Sequence, residues 1–122
     1  MKNVMTITLL GIVVAAMAIT HPNISWERTE LSLGQVKAGE QVELNFSFIN
    51  DGTEAITILE AKGSCGCTEI SFSEEEIAPG ERATVLAKFR SDKLGVFNKT
   101  VKVRTSASVE PTVLRFQGTV IE

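Results

Sequence analysis

Gln41-Val42-Glu43-Leu44-Asn45-Phe46-Ser47-Phe48 alternates polar and apolar residues without a break. A period of two places Val42, Leu44, Phe46 and Phe48 on one face of a strand and their neighbours on the other, a division no helix makes. The pattern recurs down the chain. Ala55 to Ala61 carries Ile56 and Ile58 on one face, and Thr68 to Phe72 alternates Ile70 and Phe72. Arg82 to Phe89 turns Ala83, Val85, Ala87 and Phe89 one way. Phe97, Val101 and Val103 share a face opposite Asn98, Thr100, Lys102 and Arg104. After Glu110-Pro111, a last strand sets Leu114, Phe116, Gly118 and Val120 against Arg115, Gln117 and Thr119. A first strand is read over Ile24 to Leu33, with Trp26, Leu31 and Leu33.

Turn chemistry separates these runs. Asn50-Asp51-Gly52 tolerates positive φ and is read as a hairpin. Pro79-Gly80 suits the centre of a type II turn, proline setting φ and glycine accepting φ > 0. Asp92-Lys93-Leu94-Gly95 turns the chain again, while Gly34 and Gly39 punctuate the stretch after the first strand. Seven short strands at regular spacing, with no helical period, repeat or linker, predict an all-β fold. It is a single seven-stranded β-sandwich over residues 24–122 with one modest core between two inner faces.

The first residues have another character. Met1-Lys2-Asn3 carries one positive charge, Val4 to Ile19 carries none, and Ala16-Met17-Ala18 offers small residues where a signal peptidase reads them. Residues 1–18 are therefore expected to be a signal peptide, with a mature chain beginning at Ile19. The alternative is an uncleaved membrane anchor, against which the run falls short of the ~20 apolar residues a span needs. Thr6 and Thr8 interrupt it. No cysteine follows for lipid attachment. Either way the domain is expected in the periplasm or cell envelope, touching membrane only through residues 1–18 if these are retained.

Charge narrows the partners. The net charge of −3 becomes −4 without Lys2, the only ionised side chain in residues 1–18. Nucleic acid demands a basic stripe that is missing here, and an anionic membrane surface would repel the domain. Three Asn-x-Ser/Thr triplets begin at Asn23, Asn45 and Asn98. They are read as chance occurrences in Ser/Thr-rich strands.

The candidate site is Ser64-Cys65-Gly66-Cys67-Thr68, which holds both cysteines of the chain. An exported domain sits where disulfides persist. As a staple, a Cys65–Cys67 bond is poor, because chain-entropy stabilisation grows with loop length. Positions i and i+2 of a straight strand lie about 6.5–7 Å apart, at the limit of a relaxed bridge, so the backbone must bend and Gly66 is expected to let it. Exposed bonds of this kind are the labile ones, which offers disulfide exchange with a partner. Against that, no histidine and no helix N-terminus stands nearby, and Lys62 is the nearest cation in sequence. Two thiolates this close also suit monovalent copper better than zinc, which wants four ligands. His21 is remote, and Glu69 or Glu74–Glu76 would complete only a mixed ligand set. The plainest alternative is a pair of small, half-buried residues in a glycine turn.

Other candidates are weaker. Glu74-Glu75-Glu76 reads as a solvated loop, Trp26 as core edge, and Asn50 as a turn cap bonding its own backbone. A Ser/His/Asp arrangement cannot form once His21 is set aside, and no Gly-rich loop leads into a helix. No catalytic residues and no cofactor are expected.

Five segments in order carry a resemblance: Phe46-Ser47-Phe48-Ile49-Asn50-Asp51-Gly52, Ser64-Cys65-Gly66-Cys67-Thr68, Ile77-Ala78-Pro79-Gly80, Gly95-Val96-Phe97-Asn98-Lys99 and Phe116-Gln117-Gly118-Thr119-Val120. Over roughly Leu31 to Ile121 the chain resembles an exported bacterial family, domain of unknown function 1573, marked by a Cys-Gly-Cys-Thr signature. The Phe-x-Phe-x-Asn-x-Gly and Pro-Gly elements are shared with immunoglobulin-like domains of the major-sperm-protein and Hydin-like type. Thr105 to Glu110 matches less well. The resemblance implies an immunoglobulin-like sandwich and export, and it implies no activity. The expectation is a non-enzymatic binding or structural module of the envelope, its partner an unidentified envelope protein. The alternative is thiol–disulfide exchange or soft-metal binding at Cys65 and Cys67.

Overall fold

The computed structural model describes residues 23–122. The expected leader 1–18 and His21 lie outside the described residues. Two four-stranded sheets stack face to face. The first runs β1(Ile24–Trp26), β3(Gln41–Asn50), β6(Arg82–Arg90), β5(Thr68–Phe72) across its width. The second runs β2(Glu30–Lys37), β8(Thr112–Ile121), β7(Gly95–Thr105), β4(Ile58–Gly63). The chain stays within one sheet only between β5 and β6 and between β7 and β8. Every other connection crosses the core edge.

The alternating residues do what their period requires. Leu44, Phe46 and Phe48 from β3 and Val85, Ala87 and Phe89 from β6 meet Val101, Val103, Leu114 and Phe116 from the opposite sheet, all buried. Phe89 packs 4.6 Å from Phe97 and 5.4 Å from Phe116, ring centre to ring centre, so one aromatic of the first sheet sits against two of the second. Burying these faces supplies the main drive for closing the sheets together.

Eight strands form among the described residues where seven were expected, because Ile24 to Leu33 is not one strand. Trp26 pairs with Phe48 and stacks 4.8 Å from its ring, in the first sheet. The Glu27 amide still donates to Ser47 O at 2.9 Å, but Thr29 O already accepts from Arg115 of the second sheet at 2.8 Å. The chain therefore changes sheets within Glu27–Thr29, and Leu31 continues beside β8. That pairing is parallel, interrupted by a bulge between Ser32 and Gln35 where Gly34 takes φ +64°. Gly118 makes the bulge possible: a Cβ there would stand 2.7 Å from Gly34 O and 2.8 Å from Phe97 Cζ.

Asn50-Asp51-Gly52 is not a hairpin. β3 pairs with β1 and β6, and the chain beyond it crosses to the other sheet, with no positive φ at Asp51 or Gly52. Asn50 is 1% exposed and organises the crossing. Its Nδ2 donates to Glu54 O (2.8 Å) and Ile77 O (2.9 Å), and its Oδ1 accepts from the Gly52 amide at 3.0 Å. The cap expected of Asn50 is thus one of three bonds that tie separate segments together. Pro79-Gly80 is the anticipated turn, with Gly80 at φ +84° and the Glu81 amide donating to Ala78 O at 2.9 Å. The run expected from Ala55 begins as a strand only at Ile58, Ile56 making an isolated bridge to Ile77.

Candidate functional site

The cysteine motif is the β4–β5 crossover. β4 and β5 are edge strands of different sheets, and the chain passes between them through Ser64–Cys67. Ser64 is held by the second sheet: its amide donates to Thr100 O at 2.9 Å, and its Oγ accepts from the Thr100 amide at 3.0 Å. Three residues on, Cys67 O accepts from the Arg90 amide of the first sheet at 3.2 Å. The motif is thereby pinned at both ends, and Gly66 projects to solvent between them.

Cys65 and Cys67 are joined in a disulfide, and no free cysteine remains. Their Cα atoms lie 5.3 Å apart, inside the usual range for a bridge and well short of an extended strand's repeat, so the backbone bends as the bond demands. The bend does not come from glycine's special freedom. Gly66 has no positive φ, and a Cβ there would meet nothing within 4 Å. Both cysteines are half-buried, and Cys67 packs against the core margin. The Thr68 hydroxyl stands 3.7 Å from Cys65 Sγ and 4.0 Å from Cys67 Sγ. Bridged sulfurs carry no hydrogen, so Thr68 is the donor.

Beside the disulfide lies an open cleft of about 350 Å³ on the outer face of the first sheet, lined by Gly66, Cys67, Gln41, Glu69, Lys88 and Arg90 among others. The register explains the grouping. Glu43, Lys88 and Glu69 stand in one row across β3, β6 and β5, and Gln41 and Arg90 in the next, which ends at Cys67. Lys88 has an acidic neighbour on each side. Arg90 has none in its row and is in no ion pair among the described residues, but its guanidinium lies toward Gly39, near Asp92, which also lines the cleft. Sequence reasoning missed both cations, since Lys62 was the nearest along the chain. The alternation of Arg82–Phe89 was the available signal, because it sends Lys88 and Arg90 outward once β5 is known to pair with β6.

The other sequence candidates do not gather here. Glu74, Glu75 and Glu76 are exposed in the β5–β6 connection. Trp26 lines the far edge with its Nε1 buried and unpartnered among the described residues. No cluster of three or more His, Cys, Asp or Glu residues suited to a metal occurs among the described residues. Copper binding would require the bond to be reduced first.

A family model described as "Protein of unknown function (DUF1573)" matches residues 24–120. No curated protein matches the sequence. Among solved structures, PapD-like domain 7 of human CEP192 has a TM-score of 0.65 at 14% identity, over 83% of this chain and 87% of that one. A protein of unknown function from Porphyromonas gingivalis W83 gives 0.68 at 12% identity, over 79% and 46%. The Vibrio cholerae VesB protease gives 0.62 at 16%, over 80% and 32%, so this chain spans about a third of that one. At such identities the likeness establishes the fold alone, a PapD-like, immunoglobulin-like sandwich.

Proposed function

This chain belongs to the DUF1573 family of proteins of unknown function, and we propose that it is a non-enzymatic binding module of the cell envelope that receives an extended partner segment along β5. The open edge of β5 carries this reading. Among the described residues the sandwich has four edge strands. β1 has three residues, while β2 and β4 are interrupted by bulges at Ser32/Gln35 and Ile58/Glu60. Bulges twist an edge away from incoming strands. β5 alone combines five residues with an unbroken register, Thr68↔Phe89 to Phe72↔Val85.

Its backbone polarity follows from the Arg90–Cys67 bond. In an antiparallel ladder bonded and non-bonded pairs alternate, so Cys67, Glu69 and Ser71 bond inward to β6. Ile70 and Phe72 then present N–H and C=O groups outward, where no described strand pairs with them. An added strand satisfies those groups and lays its side chains over Glu69 and Ser71 or against the core margin.

The test is a photo-crosslinking residue at Ser71, compared with one at Ser32 on the bulged edge, in cells that export the protein. A saturable adduct from Ser71 alone, mapped to an extended segment of one exported protein, is expected. Ile70→Pro removes an outward donor from the ladder, together with a half-buried side chain at the core margin, and should abolish that adduct while the purified domain still unfolds cooperatively. Equal labelling from both edges, or an adduct indifferent to Ile70→Pro, would remove the basis for the proposal.

A further inference from the structure

We propose that the Cys65–Cys67 bond is a disulfide-exchange site that reacts with a thiol-bearing polypeptide at the Cys67 sulfur, with Cys65 as the leaving group. The proposal goes beyond strand addition and stands whether or not β5 accepts a strand.

Three observations converge on it. First, the bond holds nothing distant together. It closes a ring with sequence separation 2, and the segment it spans is already fixed by Ser64 to β7 and by Cys67 to β6. Second, the two sulfurs are not equivalent. Cys67 is among the residues that line the outer-face cleft, whereas Cys65 is not. The Thr68 hydroxyl is nearer Cys65, at 3.7 Å against 4.0 Å. Exchange is fastest when the departing sulfur is the better stabilised anion, and a hydroxyl donor beside Cys65 favours departure there. Third, Gly66 leaves open space between the two cysteines, since a Cβ there would meet nothing within 4 Å.

The chemistry balances with one co-reactant class, a polypeptide carrying two thiols. Its first thiolate attacks Cys67 Sγ; the new S–S bond forms as the Cys65–Cys67 bond breaks, and the electron pair leaves on Cys65, which takes up a proton. The partner's second thiolate then attacks its own sulfur in the mixed disulfide and expels Cys67 as a thiolate. The pair is reduced to two thiols and the partner oxidised to one disulfide. The reverse reaction runs from the reduced pair and a partner disulfide.

The test uses the purified oxidised protein and a synthetic peptide with a single cysteine, so that the mixed disulfide cannot resolve forward. Excess maleimide added to samples at successive times caps the released protein thiol and the unreacted peptide, and mass spectrometry locates both modifications. The expected product carries the peptide on Cys67 and maleimide on Cys65, in at least roughly tenfold excess over the opposite arrangement. The oxidised pentapeptide Ser-Cys-Gly-Cys-Thr should show far weaker preference. Thr68→Val should slow the reaction about fivefold, the worth of an ordinary hydrogen bond, and Thr68→Ser should restore it. Equal attack at both sulfurs, a preference matched by the pentapeptide, or no adduct after hours with millimolar peptide would overturn the proposal.

Discussion

Asn50→Ala should be among the most damaging single changes in the domain although it removes no apolar packing. Three hydrogen bonds vanish with the side chain: those to Glu54 O, Ile77 O and the Gly52 amide. Ile77 O keeps a partner, because it also accepts from the Ile56 amide at 2.9 Å. Glu54 is exposed and Gly52 half-buried, so water recovers part of those losses. At about 1 kcal/mol per net bond, the cost is roughly 2–3 kcal/mol, or about 10–20 °C of Tm for a domain of this size. Urea unfolding followed through Trp26, which stacks on Phe48, reads the change directly. Asn50→Asp sharpens the test. Its carboxylate turns oxygens toward two carbonyls where an amide donated, so at neutral pH it should cost more than alanine. Burial beside those oxygens raises the folded-state pKa of the new acid above its unfolded value of about 3.9. The penalty is then small below that value and grows as pH rises toward the folded pKa. An alanine variant within about 0.5 kcal/mol of the parent, or an aspartate variant whose relative stability ignores pH, would refute this role for Asn50.

Other substitutions probe the bulge, the motif and the core. Gly118→Ala drives a methyl to 2.7 Å from Gly34 O and 2.8 Å from Phe97 Cζ, and should cost about 1–3 kcal/mol in thermal denaturation as β2 is forced off β8. Gly66→Ala meets open space at an ordinary φ; calorimetry should place it within about 0.5 kcal/mol of the parent, and a large loss would mean the crossover needs glycine after all. Phe89→Ala empties the centre of the aromatic contact between the sheets and should cost about 3–5 kcal/mol by urea denaturation.

What the sequence made legible is what depends on neighbours a few residues away. The faces of β3, β6 and β8, the limits of β5 and the Pro79-Gly80 turn all follow from local period and local dihedral preference. What stayed hidden depends on which strand pairs with which. Asn50-Asp51-Gly52 has the composition of a hairpin and of a crossing alike, and what decides between them is that β1 and β6 occupy both edges of β3. The split of Ile24 to Leu33 turns on Trp26 finding Phe48 while Leu31 finds Phe116, contacts far apart along the chain. The cysteine motif was visible as two close sulfurs on a bend. Its setting was not, because Arg90 reaches Cys67 through a ladder between β5 and β6 that no spacing along the sequence encodes.

The two apolar faces hold this sandwich closed, and the crossover disulfide does not. Equilibrium urea unfolding of the fully oxidised and fully reduced protein, side by side, tests it most directly. A three-residue ring is worth about 1.6 kcal/mol in chain entropy at 25 °C. Two cooperative transitions separated by no more than about that amount, with the same native circular dichroism, are the predicted result. A reduced protein that has lost its β signal before any urea is added would contradict the account.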